Sequence, residues 1–429
     1  MRCIPLLAGC ALAGALPLAA QTSTPPDSSI TIGTAHHMRS AVLNEDRPYL
    51  IYEPPGPHGR SLPLIVLLDG DGHFHHTTGA IRFLMDQGRM PPVRVVAVPN
   101  TTDRTRDLTP AVISDTAQRT ATPIAGGADR MLRFLSDELL PEVERTYGAA
   151  PYRVLIGHSF GGLVAAYTLL ARPELFQAYI AISPSMWWDH ERLIDSLAAR
   201  LTRQPPLRGW FYATMGALEP ADRMIAPFHR MEGVMREHAP ATLEWRFTLL
   251  PGEDHGSTPH RSTYDGLETI FRPFRVPPDS FVALGIAGLD RRYAELRTRF
   301  GFPDRTPEAA LNVLGYRLLA DSQVSRRAQA LEPLRENARR FPRSANTYDS
   351  MGDAFRALGQ KEAALTCFAA SVRMGRAFPD SGTVAVGSAI APVSLGKMGE
   401  VARELGRPAW TPEAIPERVT AECLAGQTR

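Results

Sequence analysis

The 429-residue sequence is sparing with cysteine. Cys3, Cys10, Cys367 and Cys423 are its only four, and none stands at zinc-type spacing. A structural zinc site and a disulfide framework are therefore not written into the chain, although Cys367 and Cys423 could pair in an oxidising compartment. Charge of one sign is also missing. The 47 basic residues, nearly all arginine, are scattered among 45 acids for a formal net charge of +2, which excludes the electrostatic footprint of a nucleic-acid binder. The N-terminal apolar run "CIPLLAGCALAGALPLAA" is bounded too early for a typical membrane span. Arg2 ahead of it and the small residues Ala19 and Ala20 at its end read as a secretory signal peptide over residues 1–20, followed by a Pro/Ser-rich leader over 21–32. Export to the periplasm or the medium is expected. "LAGC" ending at Cys10 offers a lipid-anchored alternative.

What the sequence does have is a series of short, nearly continuous apolar runs: "LPLIVLLDG", "VRVVAVPN", "YRVLIGHS", "AYIAISPS", "GWFYATMG" and "LEWRFTLLPG". Such runs predict strands buried on both faces. Helical stretches such as "GAIRFLMDQG", "ADRMLRFLSDELLPEVERTY", "GGLVAAYTLLARP" and "IAPFHRMEGVMREH" lie between them, which implies an α/β layer architecture around a mostly parallel sheet. Ahead of these, "AHHMRSAVLNEDRPYLIYEPP" suits a hairpin turning at Asn44-Glu45-Asp46. After Pro277 the strand-like runs cease. The reading is an α/β domain over 33–276, a linker over 277–304 and an all-helical region over 305–429. In that last region Gly315 and Gly352 hold equivalent places in an irregular pair of tetratricopeptide-like units or, alternatively, of generic helical hairpins.

The stretch "RVLIGHSFGG" carries the chemistry. It sets a G-x-S-x-G motif between a strand candidate and a helix candidate, the setting in which a sharp turn exposes a serine hydroxyl. Serine needs a base and a group to orient it, and the chain order of this fold class directs the search downstream. His255, in the polar loop "LPGEDHGSTPH", is the expected base for Ser159, with His260 second. Glu219, just past a strand end, is the expected acid, with Asp222, Asp254 or no acid as alternatives. The N–H of Phe160 and those of Gly70 and Asp71, in the turn of "LLDGDGHF", are the expected oxyanion donors. His73, His75 and His76 lack the pattern that would complete a metal site. A solvated or substrate-facing histidine cluster fits them better, and neither metal nor cofactor is expected. Arg104 and Arg106 could bind an anionic or catecholate substrate, or Arg106 could pin its loop through Asp107. Trp187 and Trp188 could line a pocket or pack in the core.

Taken in order, "VLLDGDGHF", "VPNTTDRTRDLTP", "IGHSFGG", "SPSMWW" and "EDHGS" resemble the esterase family of α/β-hydrolases that contains siderophore esterases of the enterochelin and salmochelin type, over roughly residues 30–275. The resemblance implies an α/β-hydrolase fold with Ser159 as nucleophile, His255 as base and Glu219 in the acid's place; some relatives manage with serine and histidine only. The expected function is secreted hydrolysis of a small-molecule carboxylic ester through an acyl-enzyme. Acyl transfer by the same residues, or a binding or assembly role through partners or self-association of the C-terminal helices, are the alternatives.

Overall fold

The computed structural model describes residues 30–54, 62–101, 103–302, 305–378 and 387–426. The expected signal peptide, most of the leader and Cys10 lie outside the described residues. From Gly33 onward the chain builds an eight-stranded sheet in the order β1-β2-β4-β3-β5-β6-β7-β8. Strands β1 (Thr34–Ser40) and β2 (Glu45–Tyr52) form the expected hairpin, with Asn44 at φ 56° in its turn. Strands β3 (Leu64–Leu68), β4 (Arg94–Val98), β5 (Arg153–His158), β6 (Ala178–Ile182), β7 (Gly209–Gly216) and β8 (Leu243–Leu250) run parallel to one another.

The continuous apolar runs have their explanation in the two faces of this sheet. In β3, Leu64, Val66 and Leu68 join one core and Ile65 and Leu67 the other, and every residue of the strand is buried. The first core closes against Leu163, Val164 and Ala166 of the helix Phe160–Ala171 (α2). The second closes against Leu267, Ile270 and Phe271 of the helix Thr258–Phe271 (α3). Helix α1 (Gly70–Asp86) supplies Ile81 and Leu84 to that same side.

The stretch 277–304 is not the linker its prolines suggest. It contains the 21-residue helix α4 (Ser280–Phe300), interrupted at Gly285, whose φ of 58° is non-helical. Leu289, Tyr293, Leu296 and Phe300 then repeat at helical spacing and bury against Tyr152, Phe271 and Phe274, with the Phe300 ring 4.8 Å from Tyr152 and 5.0 Å from Phe274. Leu311 and Leu314 of α5 (Glu308–Leu319) extend the same core. Helices α4 and α5 are thus part of the sheet's rear wall, the helices beyond them close around a core of their own that includes Leu334, Met351, Phe355 and Phe368, and Gly33–Arg429 is one compact unit. Further on, α6 (Leu331–Arg340) packs on α5, and α7 (Ala345–Ala357) on α8 (Lys361–Ala377). Gly315 and Gly352 sit where these pairs cross. A Cβ would stand 2.4 Å from Leu334 at the first and 2.6 Å from the Phe368 ring at the second, so only glycine admits the approach. Helices α9 (Gly387–Glu404) and α10 (Val419–Ala425) complete the layer, and a Cys367–Cys423 disulfide ties α8 to α10.

Candidate active site

The parallel registers bring the ends of β3, β5, β6, β7 and β8 to one edge of the sheet, where ligand sites of open α/β sheets form. Three non-glycine residues just past those ends have positive φ: Asp69 (54°), Ser159 (60°) and Ser183 (40°). Each such residue costs on the order of 1–3 kcal/mol and persists only where its surroundings enforce it. At Ser159 the enforcement is visible. A Cβ on Gly157 would lie 2.2 Å from the Gly161 carbonyl oxygen, and one on Gly162 would lie 2.8 Å from that of Ile182. The Ser159 N–H donates to Ile182 O at 2.9 Å, while its carbonyl accepts from Leu163 N at 2.9 Å and Ser185 N at 3.2 Å. Its hydroxyl lies 3.5 Å from Ser185 Oγ.

After β7 the chain is held to the β8 loop by Ala217 N donating to Leu250 O at 3.0 Å and Leu218 N to Glu253 O at 3.0 Å. This turns Glu219 inward until its side chain is 0% exposed. One carboxylate oxygen accepts from Ser183 Oγ at 2.5 Å and from Gly216 N at 3.2 Å, and the other faces His255 Nδ1 at 2.8 Å. Burial alone would raise the carboxyl pKa. The hydrogen bonds from His255, Ser183 and the Gly216 N–H outweigh it and hold the group below the ordinary carboxylate range, hence ionised. A carboxylate can only accept, so Nδ1 carries the proton and Nε2 keeps the free lone pair. Among the described residues no hydrogen bond joins Ser159 to His255; such bonds often tighten only when substrate is bound.

The other candidates separate by the same criteria. Asp222 is exposed. Asp254 accepts from Gly256 N and Ser257 N at 2.9 Å each, closing its own turn. His260 stacks on His76 with ring centroids 5.5 Å apart.

Gly70 and Asp71 open α1 and Phe160 opens α2, so their N–H groups have no acceptor within their helices. The two helix starts adjoin: a Cβ on Gly161 would stand 2.9 Å from Asp69 Oδ2. Arg104 clamps this corner, donating from Nε and Nη2 to the Asp69 carboxylate at 2.5 and 3.0 Å and from Nη2 to His158 O at 3.2 Å, with its guanidinium 5.5 Å from the Phe160 ring centroid. Arg106 is engaged by Asp107 at 2.7 Å, Glu45 at 2.8 Å and Asp103 at 3.3 Å, the loop-pinning alternative for this residue. Trp188 is 2% exposed and donates its indole N–H to Pro110 O at 3.0 Å. Trp187 is half-buried beside Phe160, with the Arg223 guanidinium 3.9 Å from its ring centroid.

His158, Ser183 and Asp189 escaped the sequence reading, whereas His73 and His76 belong to its expected histidine cluster. His158, the variable residue of the serine motif, donates from Nε2 to the His255 carbonyl at 2.9 Å and packs its ring 4.6 Å from the His255 ring. His73 stands edge-on to His158 at 5.4 Å and shares a 3.0 Å hydrogen bond with His76. Asp189 accepts from the N–H groups of Ile113, Ser114 and Asp115 at 2.8–3.0 Å and so holds that loop beside the tryptophans. Only Ser183, inside "SPSMWW", left a signal, a polar residue directly after a buried strand.

The family model described as "Putative esterase" matches residues 40–255. Ferri-bacillibactin esterase BesA of Bacillus subtilis is 37% identical over 179 residues, which is 37% of this chain and 60% of that protein. Iron(III) salmochelin esterase of Escherichia coli is 28% identical over 158 residues, 35% of each chain. The chain thus spans less than two thirds of the length of these curated relatives. Among solved structures, an IroE-like serine hydrolase from Shewanella oneidensis superposes with a TM-score of 0.59 at 26% identity, covering 70% of this chain and 98% of that one.

Proposed function

Since the chain belongs to the "Putative esterase" family, we propose that it is a serine carboxylic ester hydrolase with Ser159, His255 and Glu219 as its working residues. The observation that carries this reading is the buried, ionised Glu219 fixed on His255 Nδ1 at 2.8 Å, at the sheet edge where Ser159 occupies its strained turn. Ser159 Oγ attacks the ester carbonyl as His255 Nε2 takes its proton, and Glu219 stabilises the imidazolium. The N–H groups of Phe160, Gly70 and Asp71 hold the oxyanion. The alcohol leaves with the proton from His255, and water then attacks the acyl-enzyme, with His255 again as base and Ser159 as leaving group.

Siderophore-type esters are the proposed substrates, supported by the esterases of iron-bearing siderophores among the relatives and by the neighbouring rings of Phe160 and Trp187, the latter carrying the Arg223 guanidinium 3.9 Å from its centroid. Export is supported by the apolar leader and the Cys367–Cys423 bond, which belongs to an oxidising compartment. The paired helices with glycine at each crossing support a tetratricopeptide-like reading of the C-terminal layer.

The test is turnover of p-nitrophenyl esters of graded chain length, with and without acceptor alcohols. Ser159→Ala and His255→Ala should each lose several orders of magnitude in kcat. A folded Ser159→Ala protein with near wild-type turnover overturns the assignment, and product ester formed in the presence of an alcohol marks acyl transfer.

A further inference from the structure

The parallel strands begin on the side of the sheet away from Ser159, and there the charges do not balance. A cavity of about 530 Å³ is lined by Trp210 at the start of β7, Glu244 at the start of β8, Arg272 and Arg275 just past α3, and Arg292 and Arg299 of α4. A second cavity of about 210 Å³ shares Arg272 and Arg275 and adds Arg89 and Glu268. Both carboxylates of this groove already have partners, Glu244 in Arg299 and Glu268 in Arg89. Arg272 and Arg275 have no carboxylate within ion-pair distance among the described residues, and both are exposed. Arg292 is held by its Nη2, which donates to Pro273 O at 2.7 Å and Arg275 O at 3.0 Å, both neutral acceptors, and it has no carboxylate within ion-pair distance among the described residues. Two further donors in the lining, Arg292 Nε and the Trp210 indole N–H, are buried with no hydrogen-bond partner among the described residues.

Uncompensated guanidinium groups on one concave surface, together with unsatisfied N–H donors, are a cost that an anion removes. Guanidinium forks match the oxygens of phosphate in pairs. The larger cavity exceeds the needs of a bare oxyanion and falls within the range of small-molecule sites, roughly 300–1,000 Å³. We propose that this groove is a second ligand site that binds a phosphate-bearing molecule, separate from the ester site. β7 has eight residues, so at about 3.3 Å per residue the groove lies on the order of 20 Å from the catalytic edge. Helix α3 spans the same distance, with the His255 loop at its start and Arg272 directly after its end.

Phosphate can come from a soluble phosphorylated compound or from a lipid headgroup, and the experiment separates them. The full chain is titrated calorimetrically with inorganic phosphate and pyrophosphate at low salt, and floated with vesicles of phosphatidylglycerol or of phosphatidylcholine. The same is done with Arg272→Ala/Arg275→Ala. The expected result is saturable pyrophosphate or phosphatidylglycerol binding that weakens at least tenfold in the double variant while p-nitrophenyl acetate turnover is unchanged, which also shows that the variant folds. Pyrophosphate binding without flotation assigns a soluble ligand; flotation with phosphatidylglycerol alone assigns a headgroup. Absence of saturable binding to every probe, or equal binding by wild type and double variant, overturns the proposal. Because the readout is binding, its failure leaves the esterase reading untouched, and loss of esterase activity in Ser159→Ala leaves this one untouched.

Discussion

Replacing Glu219 by Gln removes one charge and almost no volume from a side chain that is 0% exposed. The carboxylate accepts three hydrogen bonds, from Ser183 Oγ, Gly216 N and His255 Nδ1. An amide offers one acceptor oxygen and an NH2 group, so the nitrogen must face a donor at one end. If it faces Nδ1, the imidazole keeps its proton on Nε2 instead, toward Ser159, and no longer acts as a base; if it faces Ser183, that hydroxyl must turn away. An acid-to-amide change of this kind in a serine triad lowers kcat by about 10⁴, which at 1.36 kcal/mol per decade is about 5 kcal/mol of transition-state stabilisation. We expect a loss of about 10³–10⁴ in kcat for p-nitrophenyl butyrate with KM nearly unchanged, since Glu219 is buried behind the histidine. Asp222→Asn, altering an exposed side chain, should leave both parameters at wild-type values. Near-ultraviolet circular dichroism controls for folding. A folded Glu219→Gln enzyme within threefold of wild type, by about the cited scale of effects, refutes the orienting role and leaves Ser159 and His255 as a dyad.

Stability should fall as pH drops from 6.5 toward 4. His158 and His76 are each pushed down to about 4 from 6.5, by burial first and then by neighbouring imidazoles. In this window the unfolded chain takes up protons that the folded chain refuses, and each histidine withdraws up to about 3 kcal/mol by pH 4. Urea unfolding at pH 7 and pH 4.5 measures it, and equal midpoints contradict the burial argument. Cys423→Ser opens a link across 56 residues; the chain-entropy relation gives about 4 kcal/mol, so thermal unfolding should shift to lower temperature while ester turnover persists. A chain ending at Val276 should be insoluble or molten because it strips Leu289, Tyr293, Phe300 and Leu311 from the sheet's rear core, whereas one ending near Ala320 keeps these residues and should remain active. A soluble, cooperative, fully active chain ending at Val276 counts against the shared core.

The sheet was legible because short apolar runs marked its strands, and six of them became β3 to β8; β3, β4 and β6 are buried throughout as expected, whereas β8, at the sheet's edge, leaves Glu244, Arg246 and Leu249 exposed. The hairpin and the strand–turn–helix around Ser159 were legible for equally local reasons. The rear wall was not. Pro277, Pro278 and Gly285 punctuate the start of α4, and the helical spacing of Leu289, Tyr293, Leu296 and Phe300 has meaning only beside the aromatic surface it covers. In the site, Glu219 and Asp222 differ by three positions and are separated only by burial, which follows from main-chain bonds to the β8 loop. The part of His158 was out of reach because its partner is the carbonyl of a residue 97 positions away, and carbonyls carry no sequence signal.

The shared rear wall also has a consequence in time. A chain made from its N-terminus has all eight strands by Leu250, yet the face of the sheet that holds Ile65, Val95, Val154 and Ile180 acquires its last covering residues only with α4 and α5. Until roughly residue 318 has emerged, that surface is covered only in part, by α1 and α3, and partly exposed apolar surface is what makes growing chains aggregate or recruit chaperones.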